Sequence, residues 1–200
     1  MGRGLPAEER SKSRMYQVGD KVVYGTTGIC TVMEIGPLSM HGVDRHRLYY
    51  TLQPMYQGGS VYVPVEGNSQ VTMRDPITRE AAQALVDRIA EMEPFSMKGL
   101  NYKQRTDTFT AALHNDDSDH LVQVIKAVVR RKQGFRERQQ YNADNSFLKK
   151  AMNLLSGELA FVLDQPLEDM RSQLEKSVRI LPKKKAEAVE NAEEEAESAE

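Results

Sequence analysis

The chain has 200 residues, 40% hydrophobic and 28% charged, which suits one large domain or two small ones. No apolar stretch approaches the roughly 18 residues that span a bilayer, and a single cysteine, Cys30, excludes an internal disulfide, a cysteine-rich zinc site and an iron–sulfur cluster. The net charge of −2 averages unlike segments: residues 98–150 carry 11 basic and 6 acidic side chains, whereas residues 15–97 and 151–180 are net negative. A local positive excess of this kind suits contact with a polyanion such as nucleic acid. The plainer reading is that Arg130, Arg131, Lys132, Arg136 and Arg138 solvate a helix end and loop.

Residues 1–14 are polar and read as a flexible extension, with Met15 an alternative start. Without a secretory h-region there, a soluble cytoplasmic protein is expected. From Met15 to about Arg74 the period is that of strands. Val18, Val22, Val23 and Tyr24 flank the turn pair Gly19-Asp20. Gly25-Thr26-Thr27-Gly28 connects them to the run Ile29 to Ile35, which Gly36-Pro37 breaks. His46 to Gln53 makes a third strand ended by Pro54. Gln57-Gly58-Gly59-Ser60 turns the chain into Val61-Tyr62-Val63-Pro64-Val65, and Val71 to Met73 is a possible fifth strand. Short strands punctuated by Gly and Pro predict a small, bent β-barrel of SH3 or Tudor type. Pro64 has no N–H for a ladder, so the strand over 61–65 is expected at an edge, where another protein's strand can add.

After Pro76 the period becomes helical. Thr78 is an N-cap candidate for a helix burying Ala82, Leu85, Val86 and Ile89, ended by Pro94. Tyr102, Arg105, Thr106, Phe109, Ala112 and Leu113 define a second helix. A third starts at Asp117 or Ser118 with the stripe Leu121, Val122, Ile125, Val128 and Val129. A polar loop follows from Gln133 to Ala143. A fourth helix runs from about Asn145 to Leu163, burying Phe147, Leu148, Ala151, Leu154, Leu155, Leu159 and Val162. Pro166 opens a fifth, with Leu167, Met170, Leu174 and Val178 inward. About five amphipathic helices predict an all-α bundle with its own core, the linker falling near Asp75-Pro76 or around Met92 to Pro94. Ala186 to Glu200 is almost all Ala and Glu, so 181–200 reads as a disordered acidic tail. The expected fold class is α+β, divided as 1–14, 15–76, 77–180 and 181–200.

Chemistry is sparse. His41, His46, His114 and His120 lack zinc-ligand spacing, and no metal or cofactor is expected. Cys30 lies mid-strand, where a buried structural thiol is usual. Ser156-Gly157-Glu158 lacks the strand–turn–helix setting of a nucleophile elbow. The acidic pairs Asp116-Asp117 and Glu168-Asp169 fall at helix starts, where carboxylates cap free N–H groups. Gly25 to Gly28 precedes a strand rather than a helix and is not followed by Gly-Lys-Ser/Thr, so it is a turn and not a phosphate loop. Tyr24, Tyr49, Tyr50, Tyr56 and Tyr62 are read as packing rather than as a cage for a methylated amine. Catalysis is not expected.

The run Tyr16-Gln-Val-Gly-Asp-Lys-Val-Val-Tyr-Gly-Thr-Thr-Gly-Ile-Cys-Thr-Val, with Tyr49-Tyr50-Thr51-Leu52 and Val61-Tyr62-Val63-Pro64-Val65, resembles the amino-terminal module of the bacterial CarD/CdnL transcription regulators, shared with transcription-repair coupling factor. Asn153-Leu-Leu-Ser-Gly-Glu-Leu-Ala resembles the family's last-but-one helix, so the resemblance spans about residues 15–180. It implies a Tudor-like module that binds the RNA polymerase β subunit through an exposed strand, here Val61, Tyr62, Val63 and Pro64. It further implies a helical domain that contacts promoter DNA at the upstream edge of the transcription bubble.

Family members place a Trp at the start of the second helix, as a wedge against the opened fork. This chain has no Trp, and matching helix ends at Leu113 and Arg130-Arg131 puts Tyr102 there, with a core role for Tyr102 the competing reading. Lys98, Lys103 and Arg105 would neutralise phosphates, and Arg130, Arg131, Lys149 and Lys150 complete the expected DNA-contacting set. The resulting expectation is a cytoplasmic, monomeric, non-enzymatic transcription regulator, nucleoid-associated through RNA polymerase, that prolongs the open complex. The alternative is a protein–protein adaptor on the polymerase that makes no direct DNA contact.

Overall fold

The computed structural model describes residues 15–39, 44–66, 71–115, 117–134 and 141–180, with the side chains of 131–134 and 141–143 outside that description. The extension over 1–14 and the acidic tail over 181–200 therefore lie outside the described residues, as do His41 and Asp116. The chain divides into two compact units, Met1–Ile77 and Thr78–Glu200. Among the described residues no helix is long and apolar enough to cross a membrane.

The first unit is one antiparallel sheet. Its strands are β1 Lys21–Tyr24, β2 Gly28–Pro37, β3 Leu48–Pro54, β4 Val61–Pro64 and β5 Met73–Arg74, in the order β4-β3-β2-β1-β5. A single 3₁₀ turn, Gly25–Thr27, joins β1 to β2. Gly25 is obligatory there: its φ is +40°, and a Cβ would lie 2.3 Å from Val71 Cγ1. The inward face collects Tyr16, Val22, Cys30, Val32, Tyr50, Leu52 and Val63 as a core, with Ile35, Val61 and Met73 packed on it.

The strands fall on the runs whose period predicted them, but the sheet is not closed into the expected barrel. The sheet is open, with β4 and β5 as its margins. The margins are four and two residues long, and Pro64 cannot donate to a further ladder, so too few backbone groups exist to seal the seam. A bulge interrupts β2, where the β3 register jumps from Val32↔Leu52 to Glu34↔Thr51 and leaves Met33 unopposed; an extra residue of this kind bends a strand.

The second unit has helices α1 Arg79–Arg88, α2 Tyr102–His114, α3 Ser118–Gly134, α4 Tyr141–Leu163 and α5 Leu167–Arg179. Thr78 caps α1 by accepting the Ala81 N–H at 3.2 Å. Asp117 Oδ1 caps α3, accepting from the N–H groups of Asp119 at 2.9 Å and His120 at 3.2 Å. Most of each predicted stripe is inward: Leu85, Ile89, Phe109, Val122, Ile125, Val128, Phe147, Leu155, Leu159, Met170 and Leu174 are buried, whereas Leu113, Val129, Leu148, Leu154, Val162 and Leu167 are half-buried and Tyr102 is exposed. Phe109 of α2 stacks on Phe147 of α4 with centroids 4.5 Å apart.

Two boundaries differ from expectation. α3 continues to Gly134 and α4 begins at Tyr141, so most of the loop expected over 133–143 is helical or outside the described residues. The helical ends at Gln133-Gly134 and Tyr141 to Ala143 correct the margins of that expectation, since polar straight-chain residues such as Gln133 lose little rotamer freedom in a helix, and 135–140 lie outside the described residues. Lys126 is a further departure. It sits inside the apolar stripe of α3, 2% exposed, and its Nζ donates to Ile89 O at 2.8 Å and Ala90 O at 2.9 Å. These carbonyls follow the end of α1, so Lys126 acts as a distant C-cap. Burial pulls its pKa below the ordinary lysine value, partly offset by the charge of Glu93.

Candidate interaction surfaces

The free margin at β4 follows from pairing arithmetic. β4 pairs with β3 through Tyr49↔Pro64, Tyr50↔Val63, Thr51↔Tyr62 and Leu52↔Val61. Val65 N donates to Leu48 O at 2.9 Å. Alternation in an antiparallel ladder then makes 50/63 and 52/61 the hydrogen-bonded pairs and 49/64 and 51/62 the non-bonded ones. Val61 and Val63 therefore turn their backbone groups to β3, while Tyr62 and Pro64 turn theirs away from the sheet. Pro64 occupies the one kind of strand position where a missing N–H costs nothing. The margin offers the Tyr62 N–H and C=O and the Pro64 C=O.

Side chains alternate with this pattern. Val63 is 2% exposed and anchors the strand in the core, whereas Tyr62 is 44% exposed beside Thr51. Arg47 donates from its guanidinium to the Glu66 carbonyl just beyond β4. Met33, thrown out by the bulge, and Leu48, at the start of β3, are exposed apolar residues near this half of the sheet that sequence reading did not select. A signal for Met33 was present: inward apolar positions 30 and 32 give way to 35, a parity flip that requires one extra residue.

The predicted DNA-contacting residues fall into two groups. Lys98, Tyr102, Lys103 and Arg105 cluster at the start of α2. Asn101 and Gln104 form a reciprocal capping box there, each side chain accepting the other's backbone N–H at 2.9 Å. This box fixes Tyr102 as the first helical residue, and its side chain is 56% exposed, so it is not a core residue. Arg105 lies three residues on, half-buried, and donates from Nη1 to Leu100 O at 3.3 Å. Lys98 and Lys103 are exposed.

The second group is Arg130 on α3 with Lys149 and Lys150 on α4, all exposed. Arg130 and Lys149 line adjoining clefts that share Val129, Val178 and Arg179. Arg131 lies in α3, and its side chain falls outside the described residues.

The remaining chemical candidates have structural surroundings. Cys30 is fully buried, its thiol 3.4 Å from Gly28 O, and burial pushes its pKa up to about 11, which keeps it protonated and unreactive at neutral pH. Ser156 donates to Asn153 O at 3.4 Å within α4. Glu168 pairs with Arg171 at 3.2 Å in the first turn of α5. Tyr50 is buried with Tyr16 edge-on, 6.2 Å between centroids, and so is unavailable to a cage. Among the described residues no group of three or more His, Cys, Asp or Glu side chains could hold a metal.

Residues 16–77 match the family model of the CarD-like/TRCF RID domain. That match is consistent with a CarD-like family member. It ends at Ile77, the last residue of the first unit. No curated protein matches the chain. A CarD-like RID domain is a protein-interaction domain rather than a known enzymatic family, and it points to an RNA polymerase-interacting protein involved in transcription.

Proposed function

We propose that this protein is a non-enzymatic transcription regulator that docks on the β subunit of bacterial RNA polymerase and stabilises the open promoter complex. The observation that carries the docking step is the free margin of the CarD-like sheet. Tyr62 and Pro64 present backbone groups that no strand among the described residues uses, and an extended segment of the polymerase adds there by β-augmentation. The bulge in β2 supports a Tudor-like description of this unit.

The helical unit then reaches promoter DNA at the upstream edge of the bubble. Support comes from the capped, exposed Tyr102, whose ring can stack on an unpaired base, and from the cations around it, which neutralise phosphates. Fork shape rather than base sequence is what such a set recognises. The protein acts as a monomer in the bacterial cytoplasm, associated with the nucleoid through the polymerase.

The deciding experiment measures open-complex lifetime with purified polymerase and the full chain. Tyr102→Ala together with Arg105→Ala is expected to shorten it while polymerase binding persists. An unchanged lifetime would favour an adaptor that never touches DNA.

A further inference from the structure

A cleft of about 360 Å³ opens between α3, α4 and α5. Its floor is apolar: Met152 and Val178 are buried and Leu148 is half-buried. Lys149 and Arg179 stand exposed at its rim beside Arg171, and Glu175 is the one carboxylate in the described lining. Arg171 is engaged by Asn153 at 2.9 Å and Glu168 at 3.2 Å. Arg130, Lys149 and Arg179 form no ion pair among the described residues. The cleft therefore combines an apolar bed with a net excess of positive charge, which suits an anionic segment carrying an occasional apolar side chain.

The chain leaves α5 at this place. Arg179 lines the cleft, and Ile180 lines the smaller cavity that adjoins it through Val129, Val178 and Arg179. Beyond Ile180 come Leu181, Pro182 and three lysines, then 187–200 with seven glutamates and one large apolar residue, Val189.

We propose that the cationic cleft between α3, α4 and α5 docks this chain's own acidic segment 187–200, Val189 resting on the apolar floor. Residues 181–186 extend to roughly 20 Å, enough to fold back over a cleft that the chain itself borders. A short tether gives the tail an effective concentration on the order of millimolar, so weak, salt-screened pairing suffices. The docked tail covers Lys149, Arg179 and the neighbouring Arg130. The inference stands whether or not the helical unit contacts DNA.

Methyl NMR spectra of three proteins test it: the full chain, the chain ended after Ile180, and the full chain with all seven tail glutamates changed to glutamine. At low salt the methyls of Leu148, Met152 and Val178 are expected at shifted positions in the full chain only, and raising salt should move them to the positions seen in the other two. The glutamine variant keeps tail length, so a shift it retains would exclude charge pairing. Identical spectra in all three proteins would overturn the proposal. So would shifts at these methyls that depend on protein concentration, marking a second copy as occupant, or that appear only when a forked duplex is added, marking nucleic acid.

Discussion

Replacing Tyr62 with proline should disable the edge proposed to bind polymerase while leaving the sheet intact. The Tyr62 N–H points away from β3, because 51/62 is a non-bonded pair. Pro64 already lacks a donor, so the substitution removes the last outward N–H of β4. A lost intermolecular hydrogen bond costs about 0.5–1.5 kcal/mol net, and the partner carbonyl left dry costs about 1–3 kcal/mol more. The sum of about 1.5–4.5 kcal/mol corresponds to roughly 10- to 1,600-fold weaker binding at about 1.4 kcal/mol per decade.

Two companion variants separate backbone from side chain and binding from folding. Tyr62→Ala keeps the N–H and should lose only the contribution of the half-exposed ring. Val63→Pro removes a bonded N–H facing Tyr50 and should lower the melting temperature of the whole unit. Binding of each full-length variant to RNA polymerase is read by calorimetry or interferometry, with thermal unfolding as the folding control. A Tyr62→Pro protein that melts normally and binds polymerase like the unmodified chain would refute strand addition as the docking mode.

Changing Tyr102 to alanine should leave unfolding unchanged, since the ring is 56% exposed, and should destabilise the open complex by about 1–3 kcal/mol, the usual worth of one base–aromatic stack. Tyr102→Trp should lengthen the open-complex lifetime, read by competitor challenge. Gly25→Ala should destabilise the CarD-like unit in denaturant melts, because the new methyl meets Val71 at a positive φ. Native Cys30 should resist thiol reagents until the sheet unfolds. Its pKa is raised from 9.0 to about 11 in the fold, so the stability it contributes is complete below pH 9 and is lost as pH rises towards 11; Cys30→Ala should abolish that part of the pH dependence in chemical melts.

The strand runs and most of the helical stripes were legible because burial imposes a period on the sequence, two for strands and 3.6 for helices. Closure of the sheet was not legible. It depends on whether two distant margins have enough paired residues, and nothing local in Val61–Pro64 or Met73–Arg74 states that. Tyr102 was ambiguous for a related reason. It shares the stripe of Thr106, Phe109 and Leu113, so periodicity aims it at the core, but it stands two turns before the Phe109–Phe147 stack, at the capped first residue of the helix. Lys126 was missed outright, since a lysine inside an apolar stripe reads as a surface interruption until the carbonyls at the end of α1 supply its partners. Periodicity reports direction; the end of a neighbouring element is tertiary information.

The energies of the two surfaces assign them unequal parts in the proposed function. One aromatic stack of about 1–3 kcal/mol falls well short of the roughly 8 kcal/mol that micromolar binding requires, and the few cations near Tyr102 add a contribution that salt erodes. The neighbouring segments are net negative, and the chain as a whole carries −2. A helical unit of this kind gains its fork only when something else has already placed it there, and the CarD-like margin is the element suited to do so. Once tethered, the stack need only bias an equilibrium between closed and melted DNA, and at about 1.4 kcal/mol per tenfold it can shift that equilibrium by roughly 5- to 150-fold without appreciable affinity of its own. Loss of the edge should then abolish the effect at every promoter, whereas loss of the ring should grade it with how readily each promoter opens.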